Sequence, residues 1–105
     1  MSESQDGGRR LRGRAALVTG ASSGLGRATA IALAEAGADV ALVARSAEEL
    51  ESAREEASTT GGRTLALPLD LAREDDAIRV IGQTVEAFGR IDVLVKPPAP
   101  TRPDR

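Results

Sequence analysis

The sequence predicts a single α/β domain in which short buried strands alternate with helices around a parallel sheet. Three observations support this prediction. Four short apolar runs are bounded by turn residues, the stretches between them carry apolar side chains at helical spacing, and 105 residues give room for only one hydrophobic core. Because each strand is followed by a helix, we expect parallel strands joined by right-handed crossovers.

The first half of the chain provides two strands and one helix. Residues 15–19 (AALVT) form an apolar run that ends at Gly20, as expected of a strand buried on both faces. Residues 24–36 carry apolar side chains at helical spacing, and Gly37 follows at the position of a C-terminal cap. Residues 39–44 (DVALVA) are predicted to form the second buried strand.

The second half continues the alternation. Ser46 begins a helix, with Glu49 three residues later as its capping-box partner, and Gly61 follows the end of that helix. Residues 64–69 (TLALPL) form the third predicted strand, with a proline near its end.

A third helix and a fourth strand complete the pattern. The helix is predicted over residues 74–88 and the strand over residues 91–95 (IDVLV). The apolar stripe of this helix consists of Ile78, Ile81, Val85 and Phe88.

The two ends of the chain differ from the middle in composition. Residues 1–13 are polar and rich in glycine and arginine, so we expect a flexible arm; a short basic arm for nucleic acid is the alternative. Residues 96–105 contain four prolines and no strongly apolar side chain, and we expect a disordered tail. The folded domain is therefore predicted to span residues 14–95.

Composition restricts the chemistry that is expected of the chain. The sequence has no Cys, His, Tyr or Trp, which excludes disulfides, thiolate or imidazole metal sites and a Ser-His-Asp triad. The net charge of −2 argues against a general nucleic-acid binder. No segment approaches the roughly 18 apolar residues of a membrane helix, and no signal peptide is evident. We therefore expect a cytoplasmic protein with no membrane or nucleic-acid partner.

The stretch TGASSGLG, residues 19–26, lies between the first strand and the first helix. There Gly20 would supply backbone freedom for a tight turn, Gly24 would let a ligand approach closely, and Gly26 would let the helix pack on the strand. The N–H groups at the start of the helix suit a pyrophosphate. An ordinary glycine-rich turn between a strand and a helix is the alternative interpretation.

These residues resemble the short-chain dehydrogenase/reductase family, which uses the T-G-x-x-x-G-x-G pattern to bind NAD(P). The segment ALVTGASSGLGRATA at residues 16–30 is very close to the family's usual sequence, and further segments that resemble the family follow at residues 37–40, 70–71 and 88–95. The resemblance covers about residues 11–95. It implies a partial Rossmann fold, truncated relative to the family, with three helices and four parallel strands in the order 3-2-1-4.

The resemblance also implies that the partner is a dinucleotide cofactor. Its expected binding residues are Gly20, Ser22, Ser23, Gly24, Leu25, Gly26, Arg45, Asp70 and Leu71. An acidic residue at the end of the second strand would bind the ribose 2′-hydroxyl of NAD, but this position is Ala44, followed by Arg45. Because a guanidinium pairs well with phosphate, the pattern favours NADP over NAD. Hydroxyls of Ser22 or Ser23 can add contacts, although relatives that use NADP often carry a basic residue at position 23.

Two of these residues have a simpler interpretation as well. Arg45 can be a solvated loop charge, and Asp70 can cap the start of the next helix. Arg27 and Arg63 are interpreted as surface charges without an assigned role.

The segment after the fourth strand departs from the family pattern. The family has an Asn-Asn-Ala-Gly stretch there and later a catalytic Ser and a Tyr-x-x-x-Lys motif, whereas this chain continues with Lys-Pro-Pro-Ala at residues 96–99 and contains no Tyr. We therefore name no catalytic residue and no metal ligand. The helices through which the family usually dimerises are also missing.

The expected function is that of a truncated short-chain dehydrogenase/reductase. The resemblance implies an NADP(H)-binding part of an oxidoreductase that transfers hydride to a carbonyl or from an alcohol, inactive alone. The alternative is a non-catalytic nucleotide-binding or interaction module that functions by itself.

Overall fold

A computed structural model describes residues 10–59 and 62–97, which form a four-stranded parallel sheet with three helices. The strands are β1 (Ala15–Thr19), β2 (Asp39–Val43), β3 (Thr64–Leu67) and β4 (Val93–Val95), and the helices are α1 (Gly24–Glu35), α2 (Ala47–Ser58) and α3 (Glu74–Phe88). The strand order is β3-β2-β1-β4. The predicted alternation, the parallel pairing and the strand order are all confirmed.

The core lies on both faces of β1 and β2, whose side chains are almost fully buried. One face packs against α1 and α2 through small residues, among them Ala30 and Ala34 of α1 and Ala53 and Ala57 of α2. Alanine allows the helices to lie close to the sheet, so this layer is tightly packed although it contains few large side chains. The opposite face, with Leu17 in the centre of β1, packs against Val80 of α3.

Helix α3 differs from the prediction in the side chains that it buries. It is helical over the predicted residues, but Ile78, Ile81 and Val85 are 66%, 48% and 43% exposed. Its buried residues are Val80 and Thr84, which lie one position away from that stripe. Because α3 packs over β2 and β3, Ile78, Ile81 and Val85 are turned away from the core, and Phe88 is the member of the predicted stripe that packs against it. An apolar groove of about 220 Å³ between α3 and the end of β4 results.

The strand ends are shorter than predicted at β3 and β4. Residues 68 and 69 leave the sheet because Pro68 has no N–H to donate, and the Leu69 N–H turns back to the Leu67 carbonyl at 2.8 Å. In β4, pairing with β1 begins at Val93 rather than at residue 91. The early end of β3 directs the following residues away from the sheet and towards the site described below.

The two terminal segments fall largely outside the described residues. Of the predicted arm, residues 1–9 are not described, and residues 10–13 form a turn. The Leu11 N–H donates to the Ala36 carbonyl at 2.8 Å, and its side chain packs on the core. This contact ties the last part of the arm to the domain. Of the predicted tail, residues 98–105 lie outside the described part of the chain.

The described residues hold no cluster of three or more His, Cys, Asp or Glu side chains that could bind a metal ion. Among the helices of residues 10–59 and 62–97, none is long and apolar enough to cross a membrane.

Candidate cofactor-binding site

An open cavity of about 470 Å³ lies at the carboxyl ends of β1, β2 and β3. Its lining comes from the three segments that follow these strands: Gly20, Ser22 and Ser23; Val43, Ala44 and Arg45; and Leu69, Asp70, Leu71 and Ala72. In open parallel sheets, ligands bind in the crevice outside the carboxyl ends of the strands. The cavity brings together Gly20, Ser22, Ser23, Arg45, Asp70 and Leu71, which are six of the predicted binding residues.

The loop after β1 needs glycine at two positions for its backbone conformation. Gly20 has φ of +61° and Gly24 has φ of +59°, in the left-handed region that other residues rarely adopt. A Cβ atom at either position would meet nothing within 4 Å, so conformation and not space sets the requirement there. The Ala21 N–H donates to the Val43 carbonyl at 3.0 Å and fixes the loop beside β2.

Three of the predicted binding residues lie outside the cavity lining: Gly24, Leu25 and Gly26. Gly26 is buried, and a Cβ atom there would lie 2.0 Å from the Gly20 carbonyl oxygen, so only glycine lets α1 start this close to the loop. Leu25, also predicted as a binding residue, has its side chain 62% exposed. The structure thus separates residues that can touch a ligand from residues that shape the loop.

The amino end of α1 is arranged differently from those of the other two helices. No acidic residue lies in its first turn, and its N-cap residue Ser23 makes no side-chain capping bond, a feature that it shares with Arg73 at the start of α3. By contrast, the Ser46 hydroxyl accepts from the Glu49 N–H at the start of α2, and both α2 and α3 carry acidic residues in their first turns. The first N–H groups of α1 and the positive end of its dipole are therefore available to an anion.

The end of β2 places Arg45 at the rim of the cavity. Its side chain is exposed, and Ala44 before it leaves no carboxylate at the point where the strand ends. The lining therefore combines a glycine loop, two serine side chains and a guanidinium, with Asp70 as its only acidic residue. Such a combination suits a ligand with more than one phosphate group.

Asp70 takes part in a local turn and also lines the cavity. Its Oδ1 accepts from the Ala72 N–H at 3.0 Å, and its own N–H donates to Asp76 at 3.0 Å. The N-cap of α3 is Arg73, so Asp70 forms a turn before the helix instead of capping it. The turn keeps the carboxylate at the cavity wall.

Two arginines that the sequence suggested were plain surface charges make specific contacts. Arg63 donates to both carboxylate oxygens of Asp39 and to the Ala87 carbonyl, and its guanidinium lies 5.2 Å from the Phe88 ring centre. The hydrogen bond to Asp39 raises the pKa of Arg63. Arg27 bonds to α2 and to the glycine loop, as described below. Arg27 directly follows Gly26, and that adjacency is the only sequence signal that points to it.

The fold and the cavity define an α/β protein with an open parallel sheet and a crevice at the carboxyl ends of its strands, and comparison with known proteins gives its family. The family model described as short chain dehydrogenase matches residues 14–99. The chain therefore belongs to the short-chain dehydrogenase family of oxidoreductases.

Individual relatives agree with this assignment. An uncharacterized oxidoreductase of Mycobacterium tuberculosis is 38% identical over 95 residues, which is 90% of this chain and 36% of the relative. L-Sorbose reductase from Gluconobacter frateurii, solved with NADPH and L-sorbose, is 32% identical with a TM-score of 0.82, covering 89% of this chain and 36% of that one. NAD⁺-bound xylitol dehydrogenase is 35% identical with a TM-score of 0.79, and the match covers 81% of this chain and 33% of that one. The chain thus spans about a third of the length of the relatives that it matches.

Proposed function

We propose that this chain binds the adenosine and pyrophosphate end of NADP(H) and represents the cofactor-binding part of a short-chain oxidoreductase. The observation that carries the proposal is the cavity in which the glycine loop, the amino end of α1 and Arg45 meet. The family binds NAD(P), and its members among the similar structures include complexes with NADPH and with NAD⁺. The choice between the two cofactors therefore has to come from this chain's own residues.

The residues present fit such a cofactor. The pyrophosphate would lie against the uncapped amino end of α1, where Gly20 and Gly24 keep the backbone close and no acidic residue repels it. Asp70 and Leu71 would contact the adenine. When bound, the cofactor supplies the hydride that the family transfers to or from its substrate.

Arg45 is the residue that we expect to select NADP over NAD. Its guanidinium would pair with the 2′-phosphate, with the Ser22 and Ser23 hydroxyls as further donors. NAD has no phosphate at this position, and the chain has no carboxylate at the end of β2 to accept from the free ribose hydroxyl. An Arg–phosphate hydrogen bond contributes about 1.5–3 kcal/mol to the binding free energy when it is shielded from water, and less at an exposed site such as this.

The test compares NADPH and NADH binding to the 105-residue chain and its variants by isothermal titration calorimetry. We expect Arg45→Ala to weaken NADPH binding by about tenfold and to change NADH binding by less than about twofold. Arg12→Ala removes the same charge from an exposed turn at the opposite, amino-terminal edge of the sheet, and serves as the matched control. Equal losses for both cofactors would remove Arg45 from the 2′-phosphate role, and no binding of either cofactor would refute the proposal.

We further propose that the chain does not transfer hydride by itself. The support is its composition: the family's mechanism uses a Tyr as the proton donor to the carbonyl oxygen, and this sequence contains none. Mixing the chain with NADPH and a panel of aldehydes and ketones is expected to give no loss of absorbance at the reduced-nicotinamide band. Enzymatic turnover would contradict this part of the proposal. The cytoplasmic location and the division into arm, domain and tail stay predictions from the sequence.

A further inference from the structure

A side-chain cluster behind the cavity joins the two helices that flank the site. Arg27 of α1 donates to Glu56 Oε1 of α2 through Nε at 3.3 Å and Nη2 at 2.8 Å, and to the Ser52 hydroxyl at 3.3 Å. Its Nη1 also lies 3.5 Å from the Ser22 carbonyl oxygen in the glycine loop. We propose that Arg27 is a positioning residue that holds the glycine loop and Arg45 at the spacing required by the 2′-phosphate of NADP(H).

The positions of the two helices explain why this cluster bears on the site. Arg27 lies in the first turn of α1, directly after the glycine loop, and α2 begins two residues after Arg45. The cluster therefore joins the glycine loop to the helix that follows Arg45, through Ser52 in the middle of that helix and Glu56 in its last turn. The Ala21 N–H also bonds to the Val43 carbonyl, so we expect loss of the cluster to shift α2 and Arg45 only slightly relative to Ser22 and Ser23.

The contact with the loop also acts through the peptide plane. The peptide bond between Ser22 and Ser23 is trans, so its C=O and N–H point in opposite directions. A carbonyl held towards Arg27 directs the Ser23 N–H the other way. The 3.5 Å contact with Arg27 thus favours one direction of a backbone donor in the loop that lines the cavity.

The arrangement depends on the geometry of a guanidinium. One planar group reaches Glu56, Ser52 and the Ser22 carbonyl together, which a lysine ammonium on its flexible stem does less well. The Arg27 side chain is 29% exposed and that of Glu56 is 55% exposed, so the pair is partly screened by solvent. We therefore expect that loss of the pair weakens NADPH binding only modestly, by about fivefold.

The experiment measures NADPH and NADH dissociation constants for the wild-type chain, Arg27→Ala, Glu56→Ala and the double variant. This inference rests on the proposed NADP(H) site, so wild-type binding and Arg45→Ala are measured in parallel. We expect either single variant to weaken NADPH binding about fivefold and NADH binding less than twofold, and the double variant to be no worse than the singles. Arg27→Lys is expected to bind NADPH more tightly than Arg27→Ala but less tightly than the wild-type chain.

Arg54→Ala is the matched control. Arg54 lies in α2 and, like Arg27, has a 29% exposed side chain and a carboxylate partner, Glu51, but its other hydrogen bond goes to Thr64 of β3 and not to the glycine loop. It should leave the ratio of NADPH to NADH affinity unchanged, and thermal unfolding of each variant reports any general loss of structure.

Three results would overturn the inference. If Glu56→Ala strengthens NADPH binding while Arg27→Ala weakens it, Arg27 binds the phosphate directly and is not a positioning residue. If Arg27→Ala leaves the affinities for NADPH and NADH unchanged while Arg45→Ala weakens NADPH binding, the cluster has no role in binding although the proposed function stands. If the wild-type chain binds neither cofactor, the proposed function itself is wrong.

Discussion

Replacing Gly26 by alanine tests the packing of α1 against the glycine loop. The added Cβ would lie 2.0 Å from the Gly20 carbonyl oxygen, 2.7 Å from the Gly20 carbonyl carbon and 3.2 Å from the Thr19 oxygen. Cβ atoms essentially never lie within 3.0 Å of such an atom, so the loop or the helix has to move by about 1 Å. The obstructing atoms belong to the backbone, so no side-chain rotation can relieve the clash.

Two opposed effects determine how Gly26→Ala changes the free energy of unfolding. Alanine is a better helix former than glycine by about 1 kcal/mol, which favours the variant. Overpacking typically costs 1–3 kcal/mol, and a backbone that cannot yield falls at the upper end or beyond. We therefore expect Gly26→Ala to lower the free energy of unfolding by about 2 kcal/mol, with a drop in melting temperature of roughly 10 °C.

Gly82→Ala provides the matched control within α3. A Cβ atom there meets nothing within 4 Å, so the same substitution should raise the free energy of unfolding by about 0.5–1 kcal/mol. Urea unfolding followed by far-ultraviolet circular dichroism is the suitable assay, because the chain has no Trp or Tyr to report by fluorescence. An unfolding midpoint of Gly26→Ala at the same urea concentration as the wild type, or at a higher one, would show that the added Cβ atom does not clash with the loop.

Two further predictions concern stability. Gly62→Ala would place a Cβ atom 2.4 Å from the Ala38 carbonyl oxygen, so we expect it to lower the free energy of unfolding by at least about 1 kcal/mol, and an unchanged urea midpoint would argue against this contact. The hydrogen bonds from Arg90 and from the Ala15 N–H lower the pKa of Asp92, so its contribution to stability is complete above about pH 4 and is lost as the pH falls through the lowered pKa. Asp92→Asn should therefore have a lower melting temperature than the wild type at pH 7, and the difference should shrink towards pH 3. A difference in melting temperature that is independent of pH would contradict this role of the Asp92 carboxylate.

The order of strands and helices was predictable because it depends on local patterns. Buried strands appear as continuous apolar runs, and the helices between them start and stop at capping residues such as Ser46 and Gly89. The glycine loop was also predictable, since its conformation requires glycine at Gly20 and Gly24. These features need only neighbours in the sequence.

The contacts that were missed depend on residues distant in sequence. The partners of Arg27 in α2 lie 25 and 29 positions further along the chain, and those of Arg63 lie 24 positions away in both directions. The stripe of α3 was wrong for a related reason. Periodicity shows that a helix has an apolar side, but the position of α3 over β2 and β3 decides that Val80 and Thr84 face the sheet, and Ile78 does not.

We expect the cavity between the glycine loop and Arg45 to bind an adenosine that carries a 2′-phosphate. A nitrogen–proton correlation spectrum of the labelled chain, titrated with adenosine 2′,5′-bisphosphate and with adenosine 5′-monophosphate, tests it most directly. We predict that the bisphosphate shifts the amide signals of residues 20–24, 44–45 and 70–72, and that it does so at lower concentration than the monophosphate. Shifts confined to the groove beside Ile81 and Leu94, or equal responses to both nucleotides, would contradict the claim.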